Sequence, residues 1–132
     1  MEVRIEKQED GSYIAYNIGD EKFSILGTGD TVSEAKEDFF NSIEESKEVY
    51  EENGLEIPAE LFETPVFHFD LSSLFEYFHM INVSAFARAI GINPALMRQY
   101  KKGDTYISDN QLAKIEEGIH SLGNELTQLK LV

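Results

Sequence analysis

The sequence predicts an α+β chain in two parts, a β-β-β-α-β domain over residues 1–70 and an all-α domain over residues 71–132. Three observations lead there. Short runs of alternating apolar residues, separated by Gly/Asp turns, fill the start of the chain. One long amphipathic stretch with a helix-start signature follows them. Beyond residue 70 the apolar spacing becomes helical throughout, and the charge changes with it. Residues 1–70 hold 19 acidic and 5 basic side chains, whereas residues 71–132 hold 6 of each, so the whole net charge of −14 sits in the first part.

Glu2–Lys7 alternates with Val3 and Ile5 on one face, the pattern of a half-buried strand. Asp10-Gly11 is a hairpin signal, because glycine accepts the positive φ of a tight turn. Residues 12–17, with Tyr13, Ile14 and Tyr16, read as the second strand, Gly19-Asp20 as a turn, and residues 22–26 as the third strand. Gly27, Gly29 and Asp30 then break the pattern. Thr31-Val32-Ser33-Glu34 is a capping box, in which Thr31 accepts from the Glu34 amide and Glu34 reaches back. It starts a helix over Val32–Glu52 with Val32, Ala35, Phe39, Ile43 and Tyr50 on one side and a run of carboxylates on the other, ended by Gly54. Ile57-Pro58 is extended, and residues 64–70, with Phe67 and Phe69 on one face, form the fourth strand.

The second part reads as four helices. Residues 71–79 form a short one, with Leu71, Leu74, Phe75 and Phe78 inward. Asn82 caps Val83–Ile90, Gly91 breaks the chain, and Ile92 plugs the turn. Asn93-Pro94 starts the next helix, since Asn is a preferred cap and Pro lacks only an amide that would be free anyway. Met97 and Tyr100 point inward, and Gly103 ends it. Ser108 or Asp109 caps the last helix, whose apolar row runs Leu112, Ile115, Ile119, Leu122, Leu126, Leu129. That row is longer than the domain needs and suits a second copy of the chain; packing within the chain is the alternative. Gly118 and Gly123 allow either a close approach or a break near Gly123.

Composition excludes several chemistries. The 132 residues include no cysteine, which removes disulfides, thiol catalysis and Cys-ligated metals. His68, His79 and His120 are scattered, so no metal or other cofactor is expected. Asp10, Asp20 and Asp30 suit turns better than ligation, and Gly27-Thr28-Gly29 lacks the lysine and third glycine of a phosphate loop. No enzymatic activity is expected. Without a membrane-length apolar run or a signal region, the expected location is the cytoplasm.

Ala87, Gly91, Ile92, Asn93, Met97, Tyr100 and Gly103, with Leu112 and Ile115 beyond, have the spacing of a helix-turn-helix and resemble the phage-repressor type over residues 71–119. The second helix of such a motif enters the major groove. Its outward residues here are Ala95, Arg98, Gln99 and Lys102, with Lys101 beside them and the amides near Asn93 available to a phosphate. Gln99 suits an adenine edge, Arg98 a guanine or a phosphate, and Lys101 and Lys102 phosphates. Residues 81–115, with five basic and two acidic side chains, form a basic island in an acidic chain. Pro94 and Ala95 stand where the family often has long polar residues, and Val83 where it often has Gln, so the reading surface is thin and a symmetric dimer on two half-sites is expected.

The two parts together resemble the HicB antitoxins. The hairpin of residues 3–16, Gly29-Asp30-Thr31-Val32-Ser33-Glu34-Ala35, the acidic helix after it and residues 54–58 carry the resemblance. It implies a truncated ribonuclease H-like first domain without nuclease activity, which blocks HicA, a small basic mRNA-cleaving toxin. It also implies a second domain that represses the shared promoter. Glu44, Glu45 and Glu48 on the acidic helix are the candidate toxin-binding residues; the plainer reading is a solvated helix face. A stand-alone repressor whose first domain binds a ligand or dimerises, and a residual nuclease, remain the alternatives.

Overall fold

Alternation, caps and helix-ending glycines build the elements found in the computed structural model, which describes every residue except 20 and 21. Among the described residues the chain is mixed α+β, with a four-stranded sheet and five helices. It divides into two units, Met1–His79 and Met80–Val132.

In unit 1, β1 (Glu2–Lys7) and β2 (Tyr13–Ile18) pair antiparallel, with Val3 opposite Asn17 and Lys7 opposite Tyr13. Gly11, at φ +87°, makes the turn between them. β3 (Leu26–Gly29) pairs antiparallel with β2, and β4 (Val66–Phe69) pairs parallel with β1, giving the order β3-β2-β1-β4. The third strand therefore lies later than residues 22–26. The segment before it is tied to β2 by a side chain instead of a ladder: Asn17 donates to the Phe23 carbonyl and accepts from the Ile25 amide. The expected strand breakers Gly27 and Gly29 are the strand, because the helix lies so close that no side chain fits. A Cβ on Gly27 would come within 2.3 Å of the Ala35 carbonyl oxygen. The Gly19-Asp20 turn falls partly outside the described residues.

α1 (Val32–Glu52) has the predicted bounds. Thr31 accepts from the Glu34 amide at 3.1 Å, while the Glu34 carboxylate reaches back to the Asp30 amide. Asn53 closes the helix and Gly54, at φ +66°, turns the chain away. Val32, Ala35, Phe39 and Ile43 bury against Val3, Ile5, Tyr13, Ala15, Ile25 and Leu61 as one core. A short turn of helix at Ala59–Phe62 precedes β4.

α2 (Leu71–Tyr77) corrects the expected domain boundary. Counted by sequence with the helical part, it belongs to unit 1. Its Glu76 carboxylate accepts the Val32 amide at the start of α1, and Tyr77 stacks on Phe69 of β4. The Asp70 cap that begins α2 also accepts the Lys7 amide at the end of β1. Unit 1 consequently holds 20 acidic and 5 basic side chains and unit 2 holds 5 and 6.

Unit 2 contains α3 (Val83–Ile90), α4 (Pro94–Lys102) and α5 (Asp109–Gln128), capped by Asn82, Asn93 and Ser108. Phe86, Ala87, Ile92, Met97, Tyr100 and Ile115 are buried. A Cβ on Gly118 would come within 2.5 Å of Ile90 Cγ2, so this glycine lets α5 approach α3, and α5 runs unbroken through Gly123.

Candidate nucleic-acid interface and acidic surface

The α3–α4 pair is positioned by its turn. Gly91 takes φ +78°, a left-handed conformation that a residue with a side chain rarely adopts, and the Ile92 amide bonds back to the Ala87 carbonyl. Lys114 of α5 donates to the Gly91 carbonyl at 3.2 Å and holds the turn from outside. Ile92 is buried beneath it.

With Met97 and Tyr100 buried, α4 turns its other side to solvent. Ala95, Arg98, Gln99 and Lys102, three or four residues apart, form one exposed stripe, with Lys101 exposed beside it. Arg98 is held in place: its guanidinium donates to the Ser84 hydroxyl of α3 at 2.9 Å. The Thr105 hydroxyl lies 3.5 Å from the side-chain amide oxygen Oε1 of Gln99. Both long polar side chains are thus steadied from outside α4. Ser84, Thr105 and Lys114 were not singled out by sequence. Only Lys114 carried a signal, its membership of the basic island.

The start of α4 is already capped. The Asn93 side chain accepts from the Ala95 amide at 2.8 Å and from the Leu96 amide at 3.4 Å, and Pro94 has no amide. A phosphate there competes with the protein's own cap. At the other end, Lys101 and Lys102 lie where cations favour the helix dipole.

The three glutamates of α1 are exposed but do not converge. Glu44 pairs with Lys47 at 3.0 Å. Glu45 lines a groove of about 680 Å³ with Phe23, Leu26, Val49, Tyr50 and Leu55. Glu48 faces solvent, one helical turn from Glu44. Among the described residues no group of three or more His, Asp or Glu could hold a metal ion, and no helix is long and apolar enough to cross a membrane.

Comparison of the chain with protein-family models, with curated proteins and with solved structures gives no match. A functional reading therefore rests on the residues and their geometry.

Proposed function

We propose that the chain is the antitoxin of a type II toxin–antitoxin pair, neutralising a HicA-like mRNA-cleaving toxin and repressing its own promoter. In this reading unit 1 is a partial ribonuclease H-like domain and unit 2 a helix-turn-helix module. The observation that carries the reading is the exposed Ala95-Arg98-Gln99-Lys102 stripe, in a chain whose other unit holds 20 acidic side chains against 5 basic.

The stripe supports major-groove reading by α4. Gln99 pairs with an adenine edge, Arg98 with guanine or a phosphate, and Ala95 packs on a thymine methyl. Lys101 and Lys102 take phosphates and make the affinity salt-dependent. Such a thin reading surface needs two half-sites about 34 Å apart, and hence two copies of the chain. The exposed Leu112 and Leu126 on α5, with Leu129 in the extended residue just past its end, support that pairing, being apolar and uncovered.

Unit 1 contributes charge and bulk. Its carboxylates draw in a basic toxin and help to exclude other partners. Neutralisation is steric in this reading, with no chemistry by the chain. One observation favours the rival, a solitary repressor with a ligand in unit 1: the apolar groove beside Glu45, at about 680 Å³, has the size of a small-molecule site.

The test is a pull-down of the tagged chain from its own cells with mass identification. A small basic protein, released by salt or denaturant and toxic when expressed alone, is the expected result. Recovery of DNA alone, from folded protein, would move the assignment to the solitary repressor.

A further inference from the structure

One face of α1, with β3 and the segment before it, encloses the groove of about 680 Å³ beside Glu45. Ser42, Glu45, Ser46, Val49 and Tyr50 share that face, because the later four follow Ser42 at helical spacing. Phe23, Ser24 and Leu26 line it from the sheet side. Leu55 completes the lining, tied back by its amide to the Tyr50 carbonyl at 2.9 Å. The groove is apolar and open: Leu26 is 52% exposed, Val49 55% and Leu55 59%. Its volume is in the range that holds a small organic molecule.

Much of the backbone around it is already bonded. The Leu26 carbonyl accepts from the Ser42 hydroxyl at 2.7 Å, and the Thr28 amide donates to Asp38 at 2.8 Å. Two of the groups that β3 would offer to an added strand are thus taken by α1. The Phe23 carbonyl and the Ile25 amide are held by the Asn17 side chain. This works against a peptide strand as the occupant and leaves recognition to side chains.

Charge then fixes the chemistry. Glu45 is the one charged residue among the described residues that line the groove. None of the ion pairs among the described residues engages its carboxylate. Of the three lining serines, Ser42 spends its proton on Leu26. An anion would meet Glu45 with no counter-charge. A neutral apolar molecule would cover the carboxylate and leave it without a partner. A cation pairs with it, and the aromatic rings of Phe23 and Tyr50 in the same lining favour a cation further.

We propose that this groove binds a small organic cation, an ammonium group carried on an apolar body of one or two rings. Glu45 holds the charge, and Leu26, Val49 and Leu55 cover the apolar body. The proposal gives a chemistry to the ligand of the solitary-repressor alternative. It holds equally for an antitoxin, since neither DNA nor a toxin enters the argument.

The experiment titrates the full chain with naphthylmethylammonium and follows the amide and methyl resonances of Leu26, Val49 and Leu55. Naphthylmethanol and naphthoate supply the same rings with no charge and with a negative one. Saturable binding of the ammonium is expected, with shifts centred on those three residues. It should exceed the alcohol in affinity by about tenfold, and naphthoate should not bind. Glu45→Gln is expected to cost the ammonium about fivefold and to leave the alcohol unchanged. Glu44→Gln removes an equal charge from α1 at a carboxylate that pairs with Lys47 and does not line the groove, and should change neither. Both glutamates are exposed, so both variants should remain folded. Absence of saturation, equal affinity for ammonium and alcohol, equal losses in the two variants, or shifts centred elsewhere would each overturn the proposal. The titration contains no DNA and no toxin, so its failure leaves those assignments where they stand.

Discussion

Two glycines set the distance between helix and sheet in unit 1. Gly27 faces the Ala35 carbonyl and the Phe39 amide, and a Cβ on Gly29 would come within 2.4 Å of Glu34 Cβ. Backbone cannot move aside as a flexible side chain can, so Gly27→Ala is expected to destabilise the chain by about 3 kcal/mol in denaturant unfolding. A change under about 0.5 kcal/mol would mean that α1 stands further off. Tyr13 makes a second residue-scale prediction. Burial, then the nearby Glu76 and Asp70 charges, raise its phenol above the ordinary value of 10.0. The folded state therefore keeps its proton longer than the unfolded chain. The resulting stability is present below pH 10.0 and is lost as pH rises through the folded pKa. Tyr13→Phe should unfold less steeply with pH above that point, and an identical alkaline profile would contradict the assignment.

At the scale of elements, α4 depends on its neighbours. Ser84 of α3 holds the Arg98 guanidinium and Thr105 lies against Gln99, so the exposed stripe of α4 is ordered by groups outside the helix. Arg98→Ala and Gln99→Ala should each weaken operator binding by about 1–3 kcal/mol with the fold intact. Ser84→Ala should lose less, and only where Arg98 is present. Footprinting titrations of the single and double variants measure this, and unchanged affinity in both Arg98→Ala and Gln99→Ala would remove α4 from the interface. α5 carries the complementary prediction. Leu126 and Leu129 are exposed, so truncation after Ile119 should reduce self-association while leaving α3 and α4 folded. Light scattering tests it, and an undiminished mass would place the self-contact elsewhere.

Across the whole molecule, charge is divided unequally between the units. Unit 1 holds 20 acidic and 5 basic side chains and unit 2 holds 5 and 6. Changing Glu44, Glu45 and Glu48 together to Lys should slow and weaken toxin binding by about tenfold or more, through lost steering and new repulsion. Operator binding by the free protein should not change. Equal loss of both activities would show that the acidic helix serves the fold or the DNA, and not a separate partner. Titrations with each ligand alone separate these outcomes. Because Glu44 already pairs with Lys47, Glu45 and Glu48 should account for most of the effect.

The sequence by itself determined the bounds of α1, the caps at Thr31, Asn82 and Asn93, the break at Gly91 and the partition of charge, and it narrowed the cap of α5 to Ser108 or Asp109. These obey short-range rules: a side-chain oxygen reaches an amide two or three residues on, and glycine alone accepts positive φ freely. The stripe on α4 was legible for the same reason, since helical spacing fixes which residues share a face. Only the tertiary structure decided that α2 joins the sheet unit, that Gly27 and Gly29 are strand, that Ser84 holds Arg98, and that α1 bonds to the β3 edge of the sheet. Each of those depends on groups far apart in the chain, whose meeting is set by the packing of a shared core and leaves no local signature.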